Sequence, residues 1–152
     1  MYVCSVKLER YNVLASETMI EFEFGSKGTK GNIVKVVQYS PTGLPGVYNM
    51  AFGDRDTKTG EVFDTVVSDN GDSQKVLATV AETALMFMKK HTHSQIFATG
   101  FSVSRTRLYQ RGIANNLEEI SQILDVKGLI GLEWFPFERG VNYDAFLINK
   151  RR

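Results

Sequence analysis

The chain has a single cysteine, Cys4, in 152 residues. A lone thiol excludes an internal disulfide and any zinc site built on cysteines, and it fits a reducing, cytoplasmic setting. Histidine is almost as scarce, with only His91 and His93. Two-histidine phosphoesterase chemistry needs a second histidine motif to supply both acid and base. His91-Thr92-His93-Ser94 therefore completes no such site, and no third ligand joins the pair around a metal. No apolar run is long enough to span a bilayer, and Met1 is followed by an alternating segment rather than a basic then apolar leader. Neither a membrane span nor a secretory signal is expected. An excess of one charge sign is also missing: the formal net charge is +1, so no global field marks a nucleic-acid or membrane binder. Gly-x-Ser-x-Gly, Walker-type and dinucleotide-binding patterns are all absent.

What is present reads as one domain over residues 1–152, long enough for a hydrophobic core. Residues 2–10 alternate, with Tyr2, Cys4, Val6 and Leu8 on one face. Residues 19–24 alternate more sharply, placing Ile20, Phe22 and Phe24 inward and Glu21 and Glu23 outward. Residues 32–39, 47–53 and 61–68 continue a meander broken by glycine-rich and polar turns. The period then changes. From Ser73 to Lys90 there is no Gly or Pro, and Val76, Val80, Ala84 and Phe87 recur at helical spacing. A short strand at 95–100 precedes a second helix, about 104–125, with Tyr109, Ile113, Leu117, Ile120 and Leu124 on one face. Asn116 and Glu119 offer a capping box if Asn115-Asn116 interrupts it. Two strands, 129–135 and 143–149, close the chain. The expected fold is α+β: a mainly antiparallel, curved sheet of seven to eight strands with two principal helices (about 73–90 and 104–125) on one face. Such a meander leaves a strand edge on which two chains could pair as a homodimer.

The richest segment for chemistry is Gly100-Phe101-Ser102-Val103-Ser104-Arg105-Thr106-Arg107-Leu108-Tyr109-Gln110-Arg111. Three arginines crowd the start of a helix with no acid among them. Cations there oppose the macrodipole, so local stability does not select them. Ser102, Ser104, Arg105, Thr106, Arg107 and Arg111 are the candidate ligand-binding residues, through hydroxyls, guanidinium groups and free backbone N–H groups. The competing structural reading pairs the arginines with acids of the meander. Phe135, Phe137, Tyr143 and Phe146, beside Arg139, offer base stacking or cross-strand core pairs. Asp54 to Glu61 misses the calcium-loop pattern and reads as a plain hairpin. No catalytic constellation, metal site or cofactor is assigned.

Residues 100–120, above all Ser104-Arg105-Thr106-Arg107-Leu108-Tyr109, and the later Tyr143-Asp144-Ala145-Phe146-Leu147-Ile148 resemble a family of small uncharacterised bacterial proteins. The resemblance implies a bacterial or mobile-element origin and carries no activity or catalytic residues with it. Two functional readings stay open. One is a non-enzymatic module that binds nucleic acid or another protein through Arg105, Arg107 and Arg111, with Lys150, Arg151 and Arg152. The alternative is an enzyme acting on a nucleotide- or phosphate-bearing ligand near Ser104, for example an acyl-CoA transferase-like protein.

Overall fold

In the computed structural model, residues 9–56, 58–63 and 69–151 are described. The meander forms as its alternation requires. β1 (Leu14–Ala15), β2 (Glu21–Gly28), β3 (Gly31–Pro41), β4 (Val47–Arg55) and β5 (Val62–Phe63) pair antiparallel with their neighbours in sequence. α1 (Ser73–Lys90) then crosses over the sheet, and β6 (Gln95–Ala98) lands parallel to β4. α2 (Val103–Asn115) and α3 (Leu117–Ser121) follow, and β7 (Leu124–Ile130), β8 (Glu133–Pro136) and β9 (Ala145–Lys150) finish the chain. The result is an open nine-stranded sheet in the order β1-β2-β3-β4-β6-β9-β7-β8, with β5 beside β4. It is α+β and mainly antiparallel, as the pattern predicts. No helix of the described residues is long and apolar enough to cross a membrane.

The register explains the core. Phe22 faces Val37, and Val37 faces Phe52 across three strands. These three are fully buried, with Ile96 and Phe146 further along the sheet. Val76, Leu77, Val80, Ala84, Phe87 and Met88 supply the buried stripe of α1, as its period requires. The opposite face of the sheet divides in two. Over β2–β4, Arg55 reaches Glu21 and Glu23 at 3.6 and 3.4 Å, so charge covers that part. Over β6–β8, Phe97 packs edge-on against Trp134 at 6.3 Å, and Trp134 stays 39% exposed.

Several boundaries differ from expectation. The second helix does not reach residue 125; α2 and α3 end by Ser121, and β7 already begins at Leu124. Leu124-Asp125-Val126-Lys127 alternates as well as it extends the helical stripe, and burial of Leu124 and Val126 in the sheet decides the choice. Residues 129–135 are not one strand but a hairpin, because Gly131 adopts φ 63° and turns β7 into β8. The Asn116–Glu119 capping box does not form, since the Asn116 amide donates back to the Gly112 carbonyl at 2.8 Å. Residues 9 and 10 are not strand. Arg10 instead bridges Glu82 and Glu119 at 2.6 and 2.8 Å, tying this segment to α1 and α3. Residues 2–8, with Cys4, residues 64–68 of the expected fifth strand, and the candidate Arg152 lie outside the described residues.

Three glycines mark close approaches rather than special φ values. A Cβ would lie 1.8 Å from the Asn70 oxygen at Gly28, 2.3 Å from the Thr106 nitrogen at Gly100, and 2.2 Å from the Tyr143 ring at Gly128.

Candidate functional site

α2 starts where the loop after β6 folds back on itself. Gly100 permits that approach, and its N–H donates to Thr106 Oγ1 at 3.0 Å. Thr106 Oγ1 in turn donates to the Ser102 carbonyl at 3.2 Å. Ser102 is the N-cap, in extended conformation, and its Oγ accepts the Arg105 N–H at 3.2 Å. The Ser/Thr run is thus mainly capping hardware. Ser102 Oγ and Ser104 Oγ stand 3.1 Å apart, and Ser104 is exposed.

The three arginines part company. Arg107 donates to the Tyr143 carbonyl at 2.6 Å and to Gln110 Oε1 at 3.1 Å, which locks α2 to the chain entering β9. Arg105 is 7% exposed. Its Nη2 donates to the Phe52 carbonyl, its guanidinium lies 5.7 and 5.8 Å from the Phe52 and Tyr109 ring centroids, and its Nε is buried without a partner. None of the ion pairs among the described residues includes it. Arg111 is exposed and likewise in no ion pair among the described residues. Among the described residues, the arginines are therefore not neutralised by the meander's acids. Of those acids, Glu21 and Glu23 flank Arg55, and Asp54 holds the buried Lys35 at 2.6 Å.

Arg105 and Arg111 line a cavity of about 340 Å³ together with Ser102, Ser104, Asp69 and Asp72. It opens between the starts of α1 and α2, with Phe52 and Leu77 among its apolar lining. Of the sequence-predicted site residues, Ser102, Ser104, Arg105 and Arg111 meet there; Thr106 and Arg107 do not line it. Ser104, Leu108 and Arg111 share this side because they recur at helical spacing, whereas Arg107 follows Arg105 by two and points elsewhere.

The second wall was missing from the sequence reading. Asp72 Oδ2 accepts hydroxyl protons from Tyr11 and Ser26, both at 2.6 Å. Partial burial and this bond to Asp72 hold the Tyr11 phenol above its ordinary pKa. Asn70, 1% exposed, donates to Ser26 Oγ and the Gly31 carbonyl and accepts the Lys30 N–H at 2.6 Å. This network pins the approach to α1 onto the β2–β3 hairpin. The Asp69-Asn70-Gly71-Asp72 turn was a visible signal, but its partners lie about forty residues away.

The remaining candidates take structural places. His91 stacks on Phe87 at 4.6 Å, and its Nε2 contacts the Thr18 carbonyl at 2.8 Å. Tyr143 and Phe146 are buried and pack edge-on at 6.1 Å as a core pair, whereas Phe135 is 39% exposed and the exposed Arg139 donates to the Ala114 carbonyl at 3.1 Å. Arg151 pairs with Asp125 at 3.3 Å. Among the described residues, no group of three His, Cys, Asp or Glu is placed to hold a metal ion.

Fold and site together define a class: an open, mainly antiparallel α+β sheet domain with a charged cavity between the starts of its two main helices. Residues 7–151 match the model of a family of unknown function, DUF6934, and the chain belongs to that family. No curated protein and no solved structure matches the chain.

Proposed function

We propose that this domain binds a small ligand through an anionic group, a phosphate or a carboxylate, in the cavity at the start of α2. One observation carries the reading. The Arg105 guanidinium is buried in the wall of that cavity with no carboxylate paired to it. A buried cation without a counter-charge is costly, and an anionic ligand removes that cost. The open N–H groups of the first turn of α2 and the Ser104 hydroxyl add donors on the same side. The cavity volume lies at the small end of known ligand sites. The nucleic-acid reading loses support by the same geometry, because Arg105 is buried, Arg107 is engaged and Arg151 has an acid partner.

A thermal-shift titration with phosphate monoesters, nucleotides, CoA and small carboxylates tests the proposal. Stabilisation is expected to grow with ligand concentration by mass action and to vanish in a folded Arg105→Met variant. A flat response across the panel rejects it. Oligonucleotide binding that weakens with salt would instead favour the nucleic-acid module.

A protein-contact reading rests on a separate observation. Ile130, Leu132 and Trp134 are exposed around the β7–β8 hairpin, Leu132 almost fully, beside an edge of β8 that pairs with no further strand among the described residues. Exposed apolar patches of this kind mark contact surfaces. Sedimentation of the wild type and of Leu132→Asp/Trp134→Ser tests it: a homodimer that dissociates in the variant supports the reading, and a monomer at all concentrations removes its self-association form.

A further inference from the structure

Opposite charges line the cavity without meeting. Arg105 and Arg111 stand on the α2 wall, and Asp69 and Asp72 stand on the wall leading into α1. No ion pair among the described residues joins any two of them. Among the described residues, both carboxylates also keep an oxygen with no donor. Asp72 receives Tyr11 and Ser26 on the same atom, Oδ2, which leaves Oδ1 open. Asp69 receives the Gly71 N–H on Oδ1 at 2.9 Å, which leaves Oδ2 open. On the other wall, Arg105 has its unpartnered Nε.

From this juxtaposition we infer that the ligand is a small zwitterion, with an ammonium group a few atoms away from its phosphate or carboxylate. The inference rests on the anion-binding reading above and specifies its chemistry. The anionic end faces Arg105, Ser104 and the α2 start, while the ammonium end faces the open oxygens of Asp69 and Asp72. A polyanion such as a pyrophosphate chain would set like charge against those two carboxylates in a partly desolvated space, where repulsion is poorly screened. A ligand of one sign leaves one wall unanswered; a zwitterion answers both. The cavity, about 340 Å³, is sized for an amino-acid-like or aminophosphate molecule.

Calorimetric and thermal-shift titrations of the whole protein separate the cases. The probes are the common amino acids and O-phosphoethanolamine, their N-acetylated counterparts, inorganic phosphate and pyrophosphate. At least one zwitterion is expected to bind about tenfold or more tightly than its N-acetylated form, the scale of one charge-assisted hydrogen bond. Asp69→Asn should collapse that preference while the anionic end still binds; Asp69 is exposed, so the change leaves the core untouched. Arg105→Met, checked by circular dichroism for folding, should abolish binding of both forms. If phosphate, pyrophosphate or the N-acetylated probes bind as tightly as the zwitterions, or if Asp69→Asn leaves the preference intact, the zwitterion inference is overturned and the anion site stands. If no probe of either kind binds, the anion site fails as well.

Discussion

The two ends of α1 are built to different standards. At its C-terminal end the helix is completed. Lys89 and Lys90 sit in the last turn, where cations suit the macrodipole. Phe87 stacks between Tyr39 at 4.4 Å and His91 at 4.6 Å, with Tyr48 edge-on at 5.0 Å. The Tyr39 and Thr83 hydroxyls are hydrogen-bonded at 2.9 Å within the core. At its N-terminal end the same helix has no acid in the first turn and no side-chain cap. Beside it lie a cavity and a buried guanidinium without an acid. The filled end accounts for stability. The hollow end leaves a buried guanidinium with no acid paired to it among the described residues, and such departures from local consistency concentrate at functional sites.

Substitutions at the two ends should separate these roles. The largest effect belongs to the filled end. Phe87→Ala removes the centre of the ring column and should cost about 3–5 kcal/mol, read as a lower urea midpoint with an unchanged slope. The next tests what lies beneath the hollow end. Asn70→Ala should cost about 2–3 kcal/mol, because it leaves buried Ser26 and backbone partners without hydrogen bonds. On the proposed anion-binding reading it should also weaken ligand binding by freeing the approach to α1. A loss of stability near zero for Asn70→Ala would break the distinction between cavity and scaffold.

Tyr39→Phe should cost about 1 kcal/mol, since Thr83 keeps its bond to the Val80 carbonyl. It also carries a pH signature. Burial pushes the Tyr39 phenol well above the usual tyrosine range. A folded-state pKa that is raised stabilises fully below the unfolded value, about pH 10, and that stability is lost as pH rises beyond it. The wild type should weaken above pH 10, and Tyr39→Phe should weaken less steeply when the two are compared by denaturant titration. The smallest effect belongs to Arg105→Met. Replacing an uncompensated buried charge with an apolar chain of similar length should leave stability unchanged or raise it by about 1 kcal/mol. A loss of several kcal/mol would mean that Arg105 is a structural strut, and the contrast between the ends would vanish.

Much of the fold was legible because the two periods are clean. Ile20-Glu21-Phe22-Glu23-Phe24 admits one register, and the α1 stripe admits one face. The boundary at 121–124 was not legible, because no Gly or Pro stands there and Leu124 satisfies both periods. The β7–β8 turn had a signal in Gly131-Leu132, but apolar residues on both sides masked it. Half of the candidate site was legible for a related reason. Ser102 to Arg111 is contiguous, so its candidate residues could be read together. Asp69 and Asp72 join them only through the crossover of α1. That Arg107 serves the Tyr143 carbonyl follows from where β9 lies, which no local pattern encodes.

Gly28, Gly100 and Gly128 bear on how the molecule tolerates change. Alanine is ordinarily the gentlest replacement in a scan, yet at these three positions its single methyl meets backbone or a ring at 2.3 Å or less. None of the three lines the cavity. Gly28 abuts Asn70 and Gly100 abuts the first turn of α2, so each stands directly behind one wall. A residue-by-residue alanine survey would therefore flag positions one layer behind the cavity walls. Read without the packing, it would point to the layer behind the cavity rather than to the cavity itself.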